Sequence, residues 1–160
     1  MEERRRGATR LAVGLLVLRL GMAGYLVTHG WSKLRHLVAG DFAFMGDPIG
    51  LGPTASLVLV VVAEFLCALL VLVGLGTRLA AWPVIFSMGV AAFVAHGADP
   101  WTMEEGARRF LAKEAEFWGA KQPALMFLTA FLALAFTGAG KLSLDHWLRE
   151  RRSQRRPRLR

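Results

Sequence analysis

Two charges, Arg19 and Glu64, fall inside otherwise apolar runs, and Lys33, His29, His96 and Cys67 stand near the same runs. A lone charge at the centre of a bilayer costs about 2.5 to 3.5 kcal/mol on insertion scales, so each must pair or face a cavity. Counted from the boundaries of their apolar runs, Arg19 and Glu64 both fall near mid-depth at about 1.5 Å per residue. An Arg19 to Glu64 contact is therefore expected. It serves either as a buried ion pair that fixes helix orientation or as a polar site for a substrate or proton. At about 100° per residue, Arg19 shares a helix face with Met22, Leu26, Gly30 and Lys33, so a polar stripe climbs that helix, with His29 to one side. His29 and His96 both fall at the outer ends of their helices, but no HxxxH or HExxH spacing joins them. Interfacial hydrogen bonding or a proton contact is expected of them rather than metal or haem ligation. Cys67 is the one cysteine, which excludes an internal disulfide, a CxxC redox pair and a four-cysteine zinc site; a packing role is expected. No Ser-His-Asp motif is visible.

The elements that must hold these residues are membrane helices. The chain of 160 residues is 54% hydrophobic with a mean hydropathy of +0.41. Four runs, at 11–29, 54–74, 79–96 and 124–140, come close to the roughly 20 apolar residues that span a bilayer core. The reading is all-α: an integral membrane four-helix bundle forming one domain over 1–148, followed by a basic tail at 149–160. LGTR is too short to do more than reverse the chain, so the second and third helices are antiparallel neighbours, with Gly74 and Gly76 ending one and Thr77 capping the next. Pro123 opens the fourth helix, Gly138 and Gly140 mark its exit, and Ser143 caps a short amphipathic helix beyond it. Trp31, Trp101 and Trp118 suit an aromatic belt. A further helix at 103–118 lies on the surface or acts as a lid, with Met103, Ala107, Phe110, Leu111 and Trp118 on one face.

The net charge of +8 sits entirely in the two tails. Residues 2–10 hold four arginines against two glutamates, and residues 149–160 hold seven arginines against Glu150. With Arg78 in the hairpin, this places both termini on the cytoplasmic side. The tail is expected to meet anionic lipid rather than nucleic acid. The start of the chain has the outline of a signal peptide, but Arg19 breaks its apolar run and no small-x-small site follows, so a retained helix is expected.

Three blocks, RLGMAGYLVTHGWSKL at 19–34, EFLCALLVLVGLGTRLAA at 64–81 and TGAGKLSLD at 137–145, resemble the DoxX family of small four-helix membrane proteins in order and spacing. The resemblance singles out Arg19, Gly30, Lys33, Glu64, Gly74, Thr77, Arg78, Gly138, Gly140, Ser143 and Asp145, with Met88, Ala92 and His96 on the third helix. One departure is Lys121-Gln122-Pro123, where such proteins often carry an acid; here Glu114 and Glu116 lie farther upstream.

The resemblance implies a bacterial or archaeal cytoplasmic (inner) membrane and a link to quinone-coupled oxidation. The expected function is a membrane subunit or anchor of a quinone-linked oxidoreductase system for sulfur-compound oxidation or redox stress. Its intramembrane polar site would comprise Arg19, Glu64, Lys33, His29 and His96. No electron carrier, nucleotide loop or intrinsic cofactor is legible, so such a role needs quinone or an oxidoreductase partner. A homo-oligomer is compatible with the sequence. The alternatives are a non-catalytic assembly or envelope-stress protein, in which the two charges only lock the fold, and a bundle conducting protons or small solutes. If the pair is structural, exchanging Arg19 and Glu64 is expected to restore expression lost in the single variants.

Overall fold

The computed structural model describes residues 2–43, 46–115 and 119–155, and these are helical with no strand among them. Three helices are long and apolar enough to cross a membrane: α1 (Glu2–Ala39), α2 (Pro53–Val73) and α3 (Thr77–Ala95). A short α4 (Met103–Leu111) precedes the apolar 16-residue α5 (Gln122–Thr137), and α6 (Leu144–Arg155) follows. Pro53 and Pro123 each sit in the first turn of their helix, where a missing N–H leaves no bond unmade.

Packing distinguishes the inside of this fold from its outside by size as much as by polarity. The buried positions are dominated by small residues, among them Ala23, Ala63, Ala68, Ala81, Ala92 and Ala135, while Leu20, Tyr25, Leu79, Phe86, Phe93 and Phe136 point outward. Small residues let helix backbones approach, and an outer shell of large apolar side chains is stable only where the surroundings are apolar too. Successive long helices are neighbours, and α5 packs along α3. The His29 ring of α1 and the Phe127 ring of α5 meet edge-on at 6.3 Å.

Each long helix contains a π-helical turn, at Arg19–Ala23, Val62–Cys67 and Ala91–Ala95. A π turn inserts about one residue into the α register and rotates everything beyond it by about 100°. These turns were not legible in the sequence.

The hairpin ends α2 in the left-handed conformation at Gly74, with Leu75 N–H donating to the Leu70 carbonyl (2.9 Å) and Gly74 N–H to Val71 (3.1 Å). The expected cap at Thr77 is not formed. Gly76 occupies the cap position, Thr77 is the first helical residue, and its buried hydroxyl has no hydrogen-bond partner among the described residues. Just ahead of the helix, Gly76 N–H donates to the Asp145 carboxylate at 2.9 Å. Ser143 caps α6 as expected, accepting from His146 N–H at 3.3 Å, and the exposed Leu144, Trp147 and Leu148 suit an interfacial helix.

The segments between α1 and α2 and between α3 and α5 differ from expectation. α1 runs to Ala39 rather than ending near His29, and α4 stops at Leu111. Lys113 follows α4 with a left-handed φ of 59°. Trp118 and Glu116 lie outside the described residues, Trp31 packs on Phe65, and Lys121 stands over the Trp101 ring at 5.0 Å. Within α4, Glu105 accepts from Arg108 and Arg109 at 2.7 to 2.9 Å, which holds its carboxyl down at about 2. Because the folded value lies below the ordinary one near 4.5, this contribution is complete above that pH and is lost as pH falls through about 2. The α4 amides are accordingly expected to keep their hydrogen-exchange protection from neutrality down to the unshifted carboxylate range. Loss of protection near pH 4.5 would show that the two arginine contacts do not hold in solution.

Candidate functional site

The buried charges occupy two sites rather than one. Glu64 lies in the π turn of α2 and is 2% exposed. Its Oε2 accepts from Lys33 Nζ at 2.5 Å and its Oε1 from Ser87 Oγ at 3.2 Å. Lys33 is 21% exposed, so one end of the pair reaches the edge of the protein. Arg19 donates instead to backbone carbonyls: Nη1 to Ala139 at 2.5 Å, Nη2 to Leu142 at 3.1 Å and, more weakly, to Leu72 at 3.5 Å. The expected Arg19 to Glu64 pair is thus replaced by Lys33 to Glu64. Leu72 lies eight residues beyond Glu64, about 12 Å along the helix. Between the two sites Ala23, Leu26, Ala68 and Val71 form a fully buried apolar layer.

The helix-wheel reading failed for a geometric reason. On an ideal helix Arg19 and Lys33 lie about 40° apart, but the π turn that starts at Arg19 swings Lys33 away by about a further 100°. The same effect works in the other direction on α3. Ser87 and His96 would lie on opposite faces of an ideal helix, and the π turn at Ala91–Ala95 brings them about 100° closer.

Gly30 makes the pair attainable. A Cβ at this position would stand 2.5 Å from the Glu64 carbonyl carbon and oxygen and from Phe65 N, so α1 and α2 touch backbone to backbone one turn from Lys33. Gly30→Ala is expected to push the helices apart and destabilise the protein by about 1 to 3 kcal/mol, the usual range for overpacking. A thermal midpoint in detergent equal to the parent's would contradict this close approach.

Beside the pair, a cavity of about 440 Å³ opens between α2 and α3. Lys33, Ser56, Glu64, Ser87 and His96 supply its polar groups; most of the rest is apolar, including Val60, Ala63, Val90 and Ala91. Leu59 and Phe86 line it and are also exposed on the outer apolar surface, so the cavity opens sideways toward the region where lipid would lie. Its outer rim is Pro48 and Ile49. Asp47 holds that loop by accepting from Leu51 N–H, Gly52 N–H and Ser56 Oγ at 2.8 to 3.0 Å, bonds that hold its carboxyl below the ordinary range. Of the two alternatives for the 103–118 segment, the lid finds no support, since none of its described residues lines the cavity; the loop after α1 stands at the rim instead. His96 Nδ1 lies 2.7 Å from Asp99 Oδ2, whereas His29 faces Phe127 on the other side of the fold.

Of the five expected site residues, the structure brings together Lys33, Glu64 and His96 and separates Arg19 and His29. Ser87 was missed because an isolated serine in an apolar helix carries no sequence signal. Arg19 belongs with residues at the far end, where Gly74 adopts a φ of 76° and leaves room for the guanidinium; a Cβ there would stand 2.7 Å from Nη1. Asp145 N–H donates to the Gly74 carbonyl at 3.0 Å, and Ser143 Oγ donates to Gly140 at 2.6 Å. The motif positions Arg19, Gly74, Gly140, Ser143 and Asp145 therefore form a lock between the hairpin and the α5–α6 junction. Gln122 accepts from Met103 N–H at 2.9 Å and so ties the start of α5 to α4. Among the described residues no group of three or more His, Cys, Asp or Glu is arranged to hold a metal ion.

The fold and site define a small helical membrane protein with a buried Lys-Glu pair beside an apolar cavity. The DoxX family model matches residues 14–97, just over half of the chain, and the chain belongs to the DoxX family. The match contains Arg19, Gly30, Lys33, Glu64, Gly74, Thr77, Arg78 and His96 and stops short of Gly138, Gly140, Ser143 and Asp145. No curated protein and no solved structure matches the chain.

Proposed function

We propose that the protein is a membrane subunit of a quinone-linked oxidoreductase system, a four-helix bundle of the inner membrane with both termini cytoplasmic. The observation that carries this reading is the lipid-side cavity with Lys33, Glu64 and Ser87 as its polar wall. A quinone has the matching form, an apolar body with two carbonyl oxygens, and a cavity of about 440 Å³ is within the usual size range of small-molecule sites. Lys33 is placed to donate to a quinone oxygen and Glu64 to hold or release the accompanying proton, with His96 and Asp99 at the rim as a route to water. Electrons pass between the quinone and an oxidoreductase partner. The apolar layer between Glu64 and Arg19 disfavours a continuous proton path through the chain.

The test is quinone retention in protein extracted with its surrounding lipid. Ala91 lines the cavity, and Ala91→Phe fills space there while keeping both Lys33 and Glu64 in place in the sequence. We expect parent protein to co-purify with quinone, and Ala91→Phe to lose at least tenfold of it at unchanged thermal stability. Equal retention by a stable Ala91→Phe protein would place the quinone elsewhere and remove the basis of the proposal.

A further inference from the structure

At the end of the molecule opposite the Lys33 cavity, a second cleft of about 490 Å³ lies between the start of α3 and the α5–α6 junction. It is half polar in character and is bordered by Arg78, Lys141, His146 and Arg149, with Asp145 as its acidic residue. The carboxylate is already engaged, accepting from Gly76 N–H, and His146 stands 3.3 Å from Glu150. Arg78, Lys141 and Arg149 have no carboxylate partner among the described residues. The Arg78 side chain lies along the backbone of the turn after α5, its Nε 3.1 Å from where a Gly138 Cβ would stand, so the missing side chain at Gly138 gives the arginine its course.

These three cations, without an ion-pair partner among the described residues, leave the cleft a positive charge that Asp145 offsets only in part, and an anion placed among them lowers their mutual repulsion. The cleft also lies where the apolar spans end: Leu79 and Thr137 are on its wall, and the interfacial face of α6 begins beside it. That is the level of phosphate groups in a bilayer, where basic pockets between helices bind anionic headgroups. We propose that this cleft is a phosphate-binding site, taking the headgroup phosphate of an anionic phospholipid, with Arg78 as a forked donor and Lys141 and Arg149 as flanking charges. The site is independent of the quinone cavity and would stand if that reading failed.

The experiment compares thermal unfolding of the detergent-solubilised full chain after adding phosphatidylglycerol, phosphatidylcholine or inorganic phosphate. Phosphatidylglycerol is expected to raise the midpoint where phosphatidylcholine does not. The Arg78→Gln, Lys141→Gln, Arg149→Gln variant is expected to lose most of that shift. Arg151→Gln with Arg152→Gln, which removes charge from α6 outside the cleft, is expected to keep it. Where the triple variant does not fold, Lys141→Gln and Arg149→Gln, both at exposed positions, are compared singly. A midpoint raised as much by millimolar phosphate as by the lipid also supports the site and assigns it to a soluble phosphorylated ligand. Equal loss of the lipid effect in cleft and control variants, or no effect of either phosphate source, overturns the proposal.

Discussion

Arg19→Met is expected to lower stability by about 3 kcal/mol or more, and exchanging Arg19 with Glu64 is expected to rescue nothing. The guanidinium satisfies the carbonyls of Ala139 and Leu142 and approaches that of Leu72, which joins α1 to the last turn of α2 and to the α5–α6 junction. Hydrogen bonds to a charged donor contribute about 1.5 to 3 kcal/mol each, and methionine leaves these carbonyls without a partner. Arg19→Lys is expected to recover only part of the loss, because one ammonium cannot fork between carbonyls from different segments. In the exchanged protein a carboxylate would face those carbonyl oxygens, and an arginine at 64 would face Lys33. Fluorescence-detected size exclusion and thermal unfolding in detergent measure both effects. A stable exchanged protein would mean that Arg19 and Glu64 pair after all.

How far the sequence could be read depends on which physical signal each feature leaves. The apolar runs, Pro123, Gly74, Gly138 and Ser143 announce helices and their ends through composition and local chemistry, and the structure places helix boundaries close to them except in α1, which extends well beyond its apolar run at both ends. The need of Arg19 and Glu64 for internal partners was also legible, since it follows from desolvation alone. Their choice of partner was not. It depends on the π turns of α1 and α2, and such an insertion is marked by no residue type, so a helix wheel drawn from sequence goes wrong beyond each of them. Arg19 found backbone carbonyls, which every residue carries and no sequence pattern advertises. Gly30 was singled out by resemblance alone; its physical reason, the backbone of Glu64 standing where a side chain would be, appears only in three dimensions.

The Lys33–Glu64 pair gives the second large effect, and its asymmetry separates structure from chemistry. Lys33→Met strands a carboxylate that is 2% exposed, with Ser87 as its remaining partner, and breaking a buried pair in this way costs about 3 to 5 kcal/mol. Glu64→Gln is expected to cost less, because Lys33 already reaches the edge of the protein and its long stem lets the ammonium turn toward water. The double variant, Lys33→Met with Glu64→Gln, carries no stranded charge and is expected to be markedly more stable than Lys33→Met alone, a coupling that thermal unfolding of the four proteins measures directly. Quinone retention in the same four proteins then decides the role of the pair. If Lys33 and Glu64 only hold α1 against α2, retention follows stability and returns in the double variant. If they bind and protonate the quinone, the double variant is stable and still loses it, because methionine offers no donor to the quinone oxygen and glutamine has no ionisable carboxyl to give up a proton.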